Sequence, residues 1–223
     1  MSQYYADAIT QQSEALLRRL RELVPQAVVL GGWAIYLYAG GQRSKDVGIA
    51  VVADELGALQ REFGARLMRN DQLRKYEVVL DSGIELDIFV AFVSNSGIAI
   101  ERVMDCSRPI AGYRVLCPEG LMLLKLCAWL DRIGRPKGDK DEIDIVSLLA
   151  SVTIDWERYR GYVALAELRY REKLAGAIRR LVISATQRGN WARVTRNGAP
   201  AYANERAWRA QLEAFRTIIP AGV

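Results

Sequence analysis

Residues 28–52 read VVLGGWAIYLYAGGQRSKDVGIAVV, in which two short β-branched runs enclose an apolar segment bounded by glycine pairs. The two outer runs are typical of buried strands. The segment between them predicts a brief helix that follows the Gly31-Gly32 turn and ends at Gly40 and Gly41, because glycine commonly terminates helices. The stretch therefore predicts a strand, a tight turn, a short helix and a second strand in succession.

The second of these strands carries a carboxylate at its start, Asp46, and a glycine two residues later, Gly48. Residues i and i+2 of a strand point to the same face of a sheet, so both positions share one face. Glycine inside a strand lowers stability by about 0.5–1 kcal/mol relative to alanine and contributes no side-chain packing. Gly48 therefore departs from the pattern of its neighbours and marks a position of functional interest.

A later strand, IELDIFV, carries Glu85 and Asp87 on one face. If this strand lies beside the strand that follows Asp46, three carboxylates converge. An unpaired buried carboxylate is costly, and clustered carboxylate oxygens are the ligands that hard cations, Mg²⁺ above all, prefer. Each residue alone has a structural explanation, since Asp46 could cap a strand and Asp87 could belong to an ion pair.

The composition excludes several classes of chemistry. The chain has 223 residues, of which 51% are apolar and none is histidine. Histidine-based triads, His-ligated zinc and histidine general bases are therefore excluded. Three cysteines without C-x-x-C spacing indicate neither a disulfide framework nor a cysteine zinc site. No apolar run reaches the roughly 18 residues of a membrane span, and no signal-peptide pattern is present, so we expect a cytoplasmic protein without a membrane partner.

The order of the predicted elements favours an α+β fold. An amphipathic helix over residues 3–24 precedes the strands, and residues 81–83 predict a hairpin turn between two β-rich runs. Helices alone follow Pro118, including residues 154–188 and 203–218. We therefore expect a small mixed β-sheet core flanked by helices, followed by an α-helical C-terminal region.

Positive charge is concentrated in that C-terminal region. The chain divides by pattern into a core, residues 1–150, and a basic helical part, residues 151–223, in which 13 Lys+Arg stand against 6 Asp+Glu. Arginines interleaved with tryptophans and tyrosines suit phosphate contact and base stacking, so an RNA such as tRNA is one predicted partner. The alternative is a helical bundle whose aromatic side chains form the core and whose arginines face water.

The order Gly31-Gly32, Asp46 and Asp87 resembles the signature of the nucleotidyltransferase superfamily related to DNA polymerase beta. In that signature an apolar strand, a Gly-Gly or Gly-Ser turn and a short helix precede Asp-x-Asp on the next strand, and a third aspartate lies on a later strand. The resemblance covers about residues 26–149. It implies a nucleotidyltransferase-like core for this chain.

The second half of that range is similar to the AbiEii-like and uncharacterised prokaryotic branches of the superfamily. There Lys125, Arg132 and the Lys140-Asp141-x-x-Asp144 run occupy recurring positions. Taken alone, Lys125 is a solvated lysine on a helix, and the Lys140 run is the charged start of a helix. The branch also implies an antitoxin, or another protein, as a partner.

The resemblance implies transfer of a nucleoside monophosphate from a nucleoside triphosphate to a hydroxyl of an RNA or a protein, with Mg²⁺ or Mn²⁺ as cofactor. It assigns metal binding to Asp46 and Asp87, and catalysis to these two aspartates together with Lys125. The residues that it places at the nucleotide phosphates are Gly31, Gly32, Arg43, Ser44 and Lys140.

This chain departs from the family pattern where the second metal aspartate should stand, at Gly48. Three explanations follow: an engineered inactive variant, a natural degenerate member that only binds, or a site in which Glu85 serves as substitute ligand. Impaired transfer is expected in the first two cases. The alternative function is a non-catalytic module of the same fold that binds nucleotide, RNA or protein. An unrelated α+β domain would instead hold Asp46 and Asp87 far apart.

Overall fold

The computed structural model describes residues 6–187, 195–196, 199–200, 210 and 213. The chain forms two compact units, one made of Met1–Leu37 with Gln42–Cys117 and the other of Tyr38–Gly41 with Pro118–Val223. The split between the two units falls at Cys117–Pro118, whereas the division into residues 1–150 and 151–223, which is based on charge and composition, stays a prediction.

The first unit contains a seven-stranded sheet with the strand order β3-β4-β5-β2-β1-β7-β6. Pairing is parallel between β2 and β5 and between β1 and β7, and antiparallel elsewhere, which confirms the predicted mixed sheet of an α+β fold. The strands are β1 Val28–Leu30, β2 Val47–Val51, β3 Met68–Asn70, β4 Lys75–Val79, β5 Glu85–Val90, β6 Ser107–Ile110 and β7 Tyr113–Leu116.

Helices precede and connect these strands. They are α1 Asp7–Leu23, α2 Gly31–Ala39, α3 Ala53–Phe63 and α4 Glu101–Met104, with a 3-10 turn at Gly64–Arg66. The predicted opening helix and the short helix after the glycine turn are confirmed. Trp33 of α2 donates its indole N–H to Ser13 Oγ of α1 at 2.7 Å, and both side chains are buried. This hydrogen bond joins α2 to α1 within the first unit.

Two strands of this sheet, β3 and β6, were not predicted from the sequence. Both lie at the edges of the sheet, where strands are short and half exposed. β6 contains Pro109, which lacks an N–H for the ladder and is tolerated at an edge. The predicted hairpin between β4 and β5 is confirmed, because Gly83, with φ +77°, donates its N–H to the Leu80 carbonyl at 2.8 Å.

The two faces of the central strands differ in burial. Along β5 the residues alternate, so that Leu86, Ile88 and Val90 are buried while Glu85, Asp87 and Phe89 are half exposed. This period of two is expected when one face packs on the core and the other remains open. The open face is the one that carries the predicted carboxylates.

The second unit is helical over residues 118–187. It contains α5 Pro118–Arg132, α6 Pro136–Ser151, α7 Trp156–Leu165 and α8 Leu168–Gln187, and α5 contacts each of the other three helices. The short strands β8 Thr195–Arg196 and β9 Ala199–Pro200 pair with each other. The helix predicted at 203–218 lies outside the described residues except for positions 210 and 213, which are helical. Among the described helices, none combines the length and the apolar character required to cross a bilayer.

Candidate functional site

One row of paired residues crosses four strands of the first unit. Glu77 of β4 pairs with Asp87 of β5, Asp87 with Gly48 of β2, and Gly48 with Leu30 of β1. Directly paired residues of a sheet point to the same face. We call Glu77, Asp87, Gly48 and Leu30 the Gly48 row; its first three members are half exposed and Leu30 is buried.

Asp46 lies next to this row, just before β2. Its Oδ1 accepts a hydrogen bond of 3.3 Å from the backbone N–H of Glu85. Because Val47 pairs with Leu86, Asp46 and Glu85 lie side by side at the start of their parallel strands. The predicted juxtaposition of Asp46 with Asp87 on neighbouring strands is therefore present, and Glu85 lies beside them. The arrangement expected of an unrelated domain, with Asp46 and Asp87 far apart, does not occur.

Gly48 is not required by the backbone. It is absent from the glycines with positive φ, and a Cβ added at this position would have Leu30 Cβ and Leu30 O as its nearest neighbours, both at 3.7 Å. Such distances are ordinary van der Waals contacts. The sheet therefore accommodates a side chain at position 48, pointing to the same face as Asp87.

Lys75 brings a positive charge to the row. Its Nζ donates to Asp87 Oδ1 at 2.6 Å and contacts Glu77 Oε1 at 2.8 Å, and its side chain is only 11% exposed. Asn70 Nδ2 also donates to Glu77 Oε1, at 3.1 Å. Asp87 thus accepts a hydrogen bond from an ammonium group that was not among the predicted site residues.

The ionisation of this pair follows from the same contacts. Burial lowers the pKa of Lys75, but the charge and hydrogen bonds of Asp87 and Glu77 outweigh burial, so that its pKa is raised. Burial raises the pKa of Glu77, but the hydrogen bonds from Lys75 and Asn70 outweigh it, so that its pKa is lowered. Both groups are therefore charged at neutral pH.

A signal for this contact was present in the sequence. A hairpin centred on Ser82 sets Glu77 opposite Asp87, and Lys75 lies two residues from Glu77 on the same face of its strand. Reading that register from the predicted turn would have placed Lys75 and Glu77 beside the aspartate.

These residues, as they stand, do not fit the metal site that the resemblance implies. The ligand expected at position 48 is absent, and Asp87 Oδ1 already holds an ammonium nitrogen at 2.6 Å. Mg²⁺ requires several oxygen ligands in near-octahedral geometry, and Asp87 could serve it only after Lys75 had moved away. Asp46 and Glu85 remain available as carboxylates next to the row.

Four of the five residues predicted at the nucleotide phosphates, all except Lys140, lie near the end of β1 or before β2. Gly31 has φ +65° and begins α2 directly after Leu30 of the Gly48 row. Arg43 Nη1 lies 3.5 Å from Glu14 Oε2, and Arg43 Cζ lies 5.8 Å from the centre of the Tyr36 ring. The two remaining residues differ in burial, since Gly32 is half buried and Ser44 is buried.

Lys125 and Lys140 belong to a different cluster, in the second unit. Lys125 Nζ lies 2.8 Å from Asp141 Oδ1 and 2.7 Å from Asp144 Oδ2. Lys140 Nζ lies 2.9 Å from the same Asp144 oxygen, and Arg132 contacts Asp141 Oδ2 at 3.1 Å. Lys140, Asp141 and Asp144 are buried. The run is therefore a buried ion-pair network and not a solvated helix start.

Charge in this network is stabilised by mutual contact. Burial alone would lower the pKa of Lys125, but Asp144 and Asp141 outweigh it and raise that pKa. Burial alone would raise the pKa of Asp144, but Lys125 and Lys140 outweigh it and lower that pKa. Both groups are therefore ionised across the neutral range.

The basic residues of α7 and α8 lie mostly on the surface. Arg160 and Arg169 have side chains that are 54% and 65% exposed, and each makes an ion pair with a nearby glutamate. Tyr159, Tyr162 and Tyr170 are buried, as in a bundle with an aromatic core. The guanidinium groups are accessible to solvent, whereas these three aromatic rings are not available for base stacking. Arg188 and Arg193, which belong to the same predicted basic set, lie outside the described residues.

Comparison with known proteins adds several similar structures. No protein-family model and no curated protein matches the sequence. A nucleotidyltransferase-like protein from Paracoccidioides brasiliensis shares 18% identity over 77% of this chain and 92% of its own, with a TM-score of 0.40. JHP933 from Helicobacter pylori shares 16% identity over 96% of this chain and 98% of its own, with a TM-score of 0.44. ANT(2")-Ia, solved in complex with adenylyl-2"-tobramycin, shares 17% identity over 70% of this chain and 95% of its own, with a TM-score of 0.47. Identities and TM-scores this low carry no argument about the function of this chain.

Proposed function

We propose that the first unit is a nucleotidyltransferase-type nucleotide site whose transfer activity is impaired at Gly48. The lineage reaction is transfer of a nucleoside monophosphate from a nucleoside triphosphate to a hydroxyl of an RNA, tRNA included, or of a protein. The observation that carries the proposal is the parallel pairing of β2 with β5, which sets Gly48 opposite Asp87 and Asp46 beside Glu85. This is the carboxylate order of the lineage with one member absent.

The impairment follows from the missing carboxylate. In the lineage, divalent cations held by three carboxylates neutralise the charge that develops on the leaving pyrophosphate. Loss of a ligand costs at least the roughly 10–100-fold that is attributed to groups that only support ligands. The backbone accepts a Cβ at position 48, so the fold does not require the glycine, and this supports the proposal that an aspartate has been lost there.

The phosphates of the nucleotide are proposed to lie at the start of α2. The first N–H groups of a helix have no partners within the helix and favour anions. Gly31 begins α2 beside the Gly48 row, and its lack of a Cβ permits close approach of the chain. Arg43 and Ser44 precede β2 and would add a guanidinium and a hydroxyl donor.

Lys125 stays a predicted catalytic residue at the phosphates, and Lys140 stays a predicted phosphate ligand. Either lysine would have to exchange an existing ion pair with Asp141 or Asp144 for the phosphate contact. Of the two proposed acceptors, RNA is favoured by the exposed guanidinium groups on α7 and α8, which suit phosphate contact. An antitoxin or other protein partner, and a cytoplasmic location, stay predictions.

A second candidate function is a binding module without catalysis. It is favoured by Lys75, whose ammonium group lies on the aspartate that a catalytic ion would need. In that case the chain binds nucleotide, RNA or a protein partner and transfers nothing.

Nucleotide binding tests the proposal directly. Each of the four nucleoside triphosphates is titrated into the full chain by calorimetry, with and without Mg²⁺, and then into Arg43→Gln. We expect binding of at least one triphosphate, weakened about tenfold in Arg43→Gln because a charge-assisted contact is lost. Arg19→Gln is the matched control, since Arg19 is also paired with a glutamate, Glu62, on the same unit. Absence of binding by every triphosphate would contradict the nucleotide site.

Transfer separates the two candidates. Labelled triphosphate is offered with RNA and protein acceptors to the wild-type chain, to Gly48→Asp and to the double variant Gly48→Asp/Lys75→Met. Product from either variant above the wild-type level supports the transferase lineage. Gly57→Asp controls for the added charge, because a Cβ there would meet only Arg61 at 3.7 Å. Nucleotide binding without product in all variants supports the binding module.

A further inference from the structure

Lys75 and Gly48 both make the Gly48 row less negative. A glycine at position 48 removes a negative ligand from the row, and Lys75 places a positive group on the remaining aspartate of that row. Both features lower the attraction of this face for a divalent cation. Lys75 lies on β4 and Gly48 on β2, the two strands on either side of β5, so neither feature depends on the other.

The geometry of Lys75 is that of a bound cation. Its nitrogen lies 2.6 Å from one oxygen of Asp87 and 2.8 Å from one oxygen of Glu77. A lysine ammonium group is a compact point charge, unlike the planar fork of arginine. The side chain is 11% exposed, so water screens these contacts weakly.

We propose that Lys75 is a built-in cation: its ammonium group occupies the place of a divalent ion at Asp87 and excludes such an ion from the wild-type chain. The inference deepens the proposed function, on which it rests for the identity of the site. It assigns the weak metal binding expected of the wild-type chain to two residues, Gly48 and Lys75, and not to Gly48 alone.

A purely structural ion pair is the competing explanation. In that case Lys75 only neutralises Asp87 and Glu77, and its removal would destabilise the sheet without creating a cation site. The two explanations differ in metal binding, which can be measured without nucleotide or transfer.

The experiment is Mn²⁺ binding to the full chain by electron paramagnetic resonance. The proteins are wild type, Lys75→Met, Lys75→Arg and Gly48→Asp, and exposed Lys137→Met is the control for loss of a lysine. We expect wild type, Lys75→Arg, Gly48→Asp and Lys137→Met to share weak binding. Lys75→Met should bind at least about tenfold more tightly, the lower end of effects known for altered metal surroundings. The double variant Gly48→Asp/Lys75→Met should bind more tightly still.

Two results would overturn the inference. One is equal Mn²⁺ binding by folded Lys75→Met and wild type. The other is tight binding by Gly48→Asp while Lys75 is intact, a test that does not depend on any Lys75 variant folding. Circular dichroism confirms folding, and Lys75→Gln replaces Lys75→Met if the latter unfolds. Failure of the proposed function has a different signature, because it shows as absent nucleotide binding and transfer whatever the Mn²⁺ result.

Discussion

Gly48 of β2 and Asp87 of β5 are direct partners in the parallel part of the sheet, and the space above Gly48 is open to a side chain. The strand has space for a Cβ at this position, but glycine supplies none. The conformation of Gly48 is extended, whereas that of Gly31, with φ +65°, is the left-handed one that favours glycine.

This contrast predicts opposite effects of alanine at the two glycines. Gly48→Ala should raise the free energy of unfolding by about 0.5–1 kcal/mol, because alanine suits a strand better and meets no close neighbour. Gly31→Ala should lower it by about 1–2 kcal/mol, the cost of a left-handed conformation with a Cβ. Urea unfolding followed by circular dichroism measures both changes. Equal effects of the same sign would contradict the assigned backbone conformations.

The hydrogen bond between Trp33 and Ser13 predicts a second stability effect. Ser13→Ala should lower the free energy of unfolding by about 1–3 kcal/mol, because it leaves the buried indole N–H without its partner. Gln12→Ala, an exposed change on the same helix, should stay within about 0.5 kcal/mol of wild type. Thermal and urea unfolding give both values, and a Ser13→Ala chain as stable as Gln12→Ala would refute the contact.

The buried ion-pair network of the second unit predicts that Asp144→Asn lowers stability more than Lys125→Met does. Asp144→Asn should destabilise the chain by about 3–5 kcal/mol, because Lys140 loses the carboxylate that it contacts and remains buried. Lys125→Met should cost less, since Asp141 keeps Arg132 and Asp144 keeps Lys140. Urea unfolding of the two variants checks the order. A larger loss in Lys125→Met than in Asp144→Asn would be incompatible with these contacts.

The lowered pKa of Asp144 predicts that the stability difference between wild type and Asp144→Asn depends on pH. A carboxyl whose pKa is lower in the folded chain contributes stability above its ordinary value, here 3.8, and loses it as the pH falls through the folded pKa. The difference in unfolding free energy between wild type and Asp144→Asn should therefore be constant near neutral pH and shrink below about pH 4. Denaturation at a series of pH values measures it, and a difference that grows in acid would reverse the assigned shift.

RNA binding by the exposed arginines predicts a salt effect. We expect an RNA to bind the full chain with an affinity that falls linearly with salt on logarithmic axes, by about 0.7 per phosphate contact for single strands. Arg160→Gln and Arg169→Gln should each weaken binding and reduce that slope. Fluorescence anisotropy at several salt concentrations measures it. Binding that ignores salt, or no binding at low salt, would remove RNA as a partner.

The extent of sequence-based prediction is clearest at β5 and β3. The alternation in IELDIFV and the glycine turn before it predicted β5, its hairpin with β4 and the open face that carries Asp87. β3 and β6 were missed because edge strands are short and lack buried periodicity. The split between the two units at Cys117–Pro118 reflects packing among residues far apart in the chain, whereas the predicted division at residue 150 reflects charge and composition.

The local pattern of residues 28–52 was sufficient to predict a strand, a turn, a helix and a strand, and to single out Asp46 and Gly48, since periodicity and backbone preference act over a few residues. The pairing of Gly48 with Asp87, the capture of Asp87 by Lys75 and the burial of Lys125 and Lys140 against two aspartates were decided by the tertiary structure. The physical reason is that charges from strands and helices far apart in the chain interact only at distances of a few ångströms. Strand order, register and helix packing, not local pattern, set those distances.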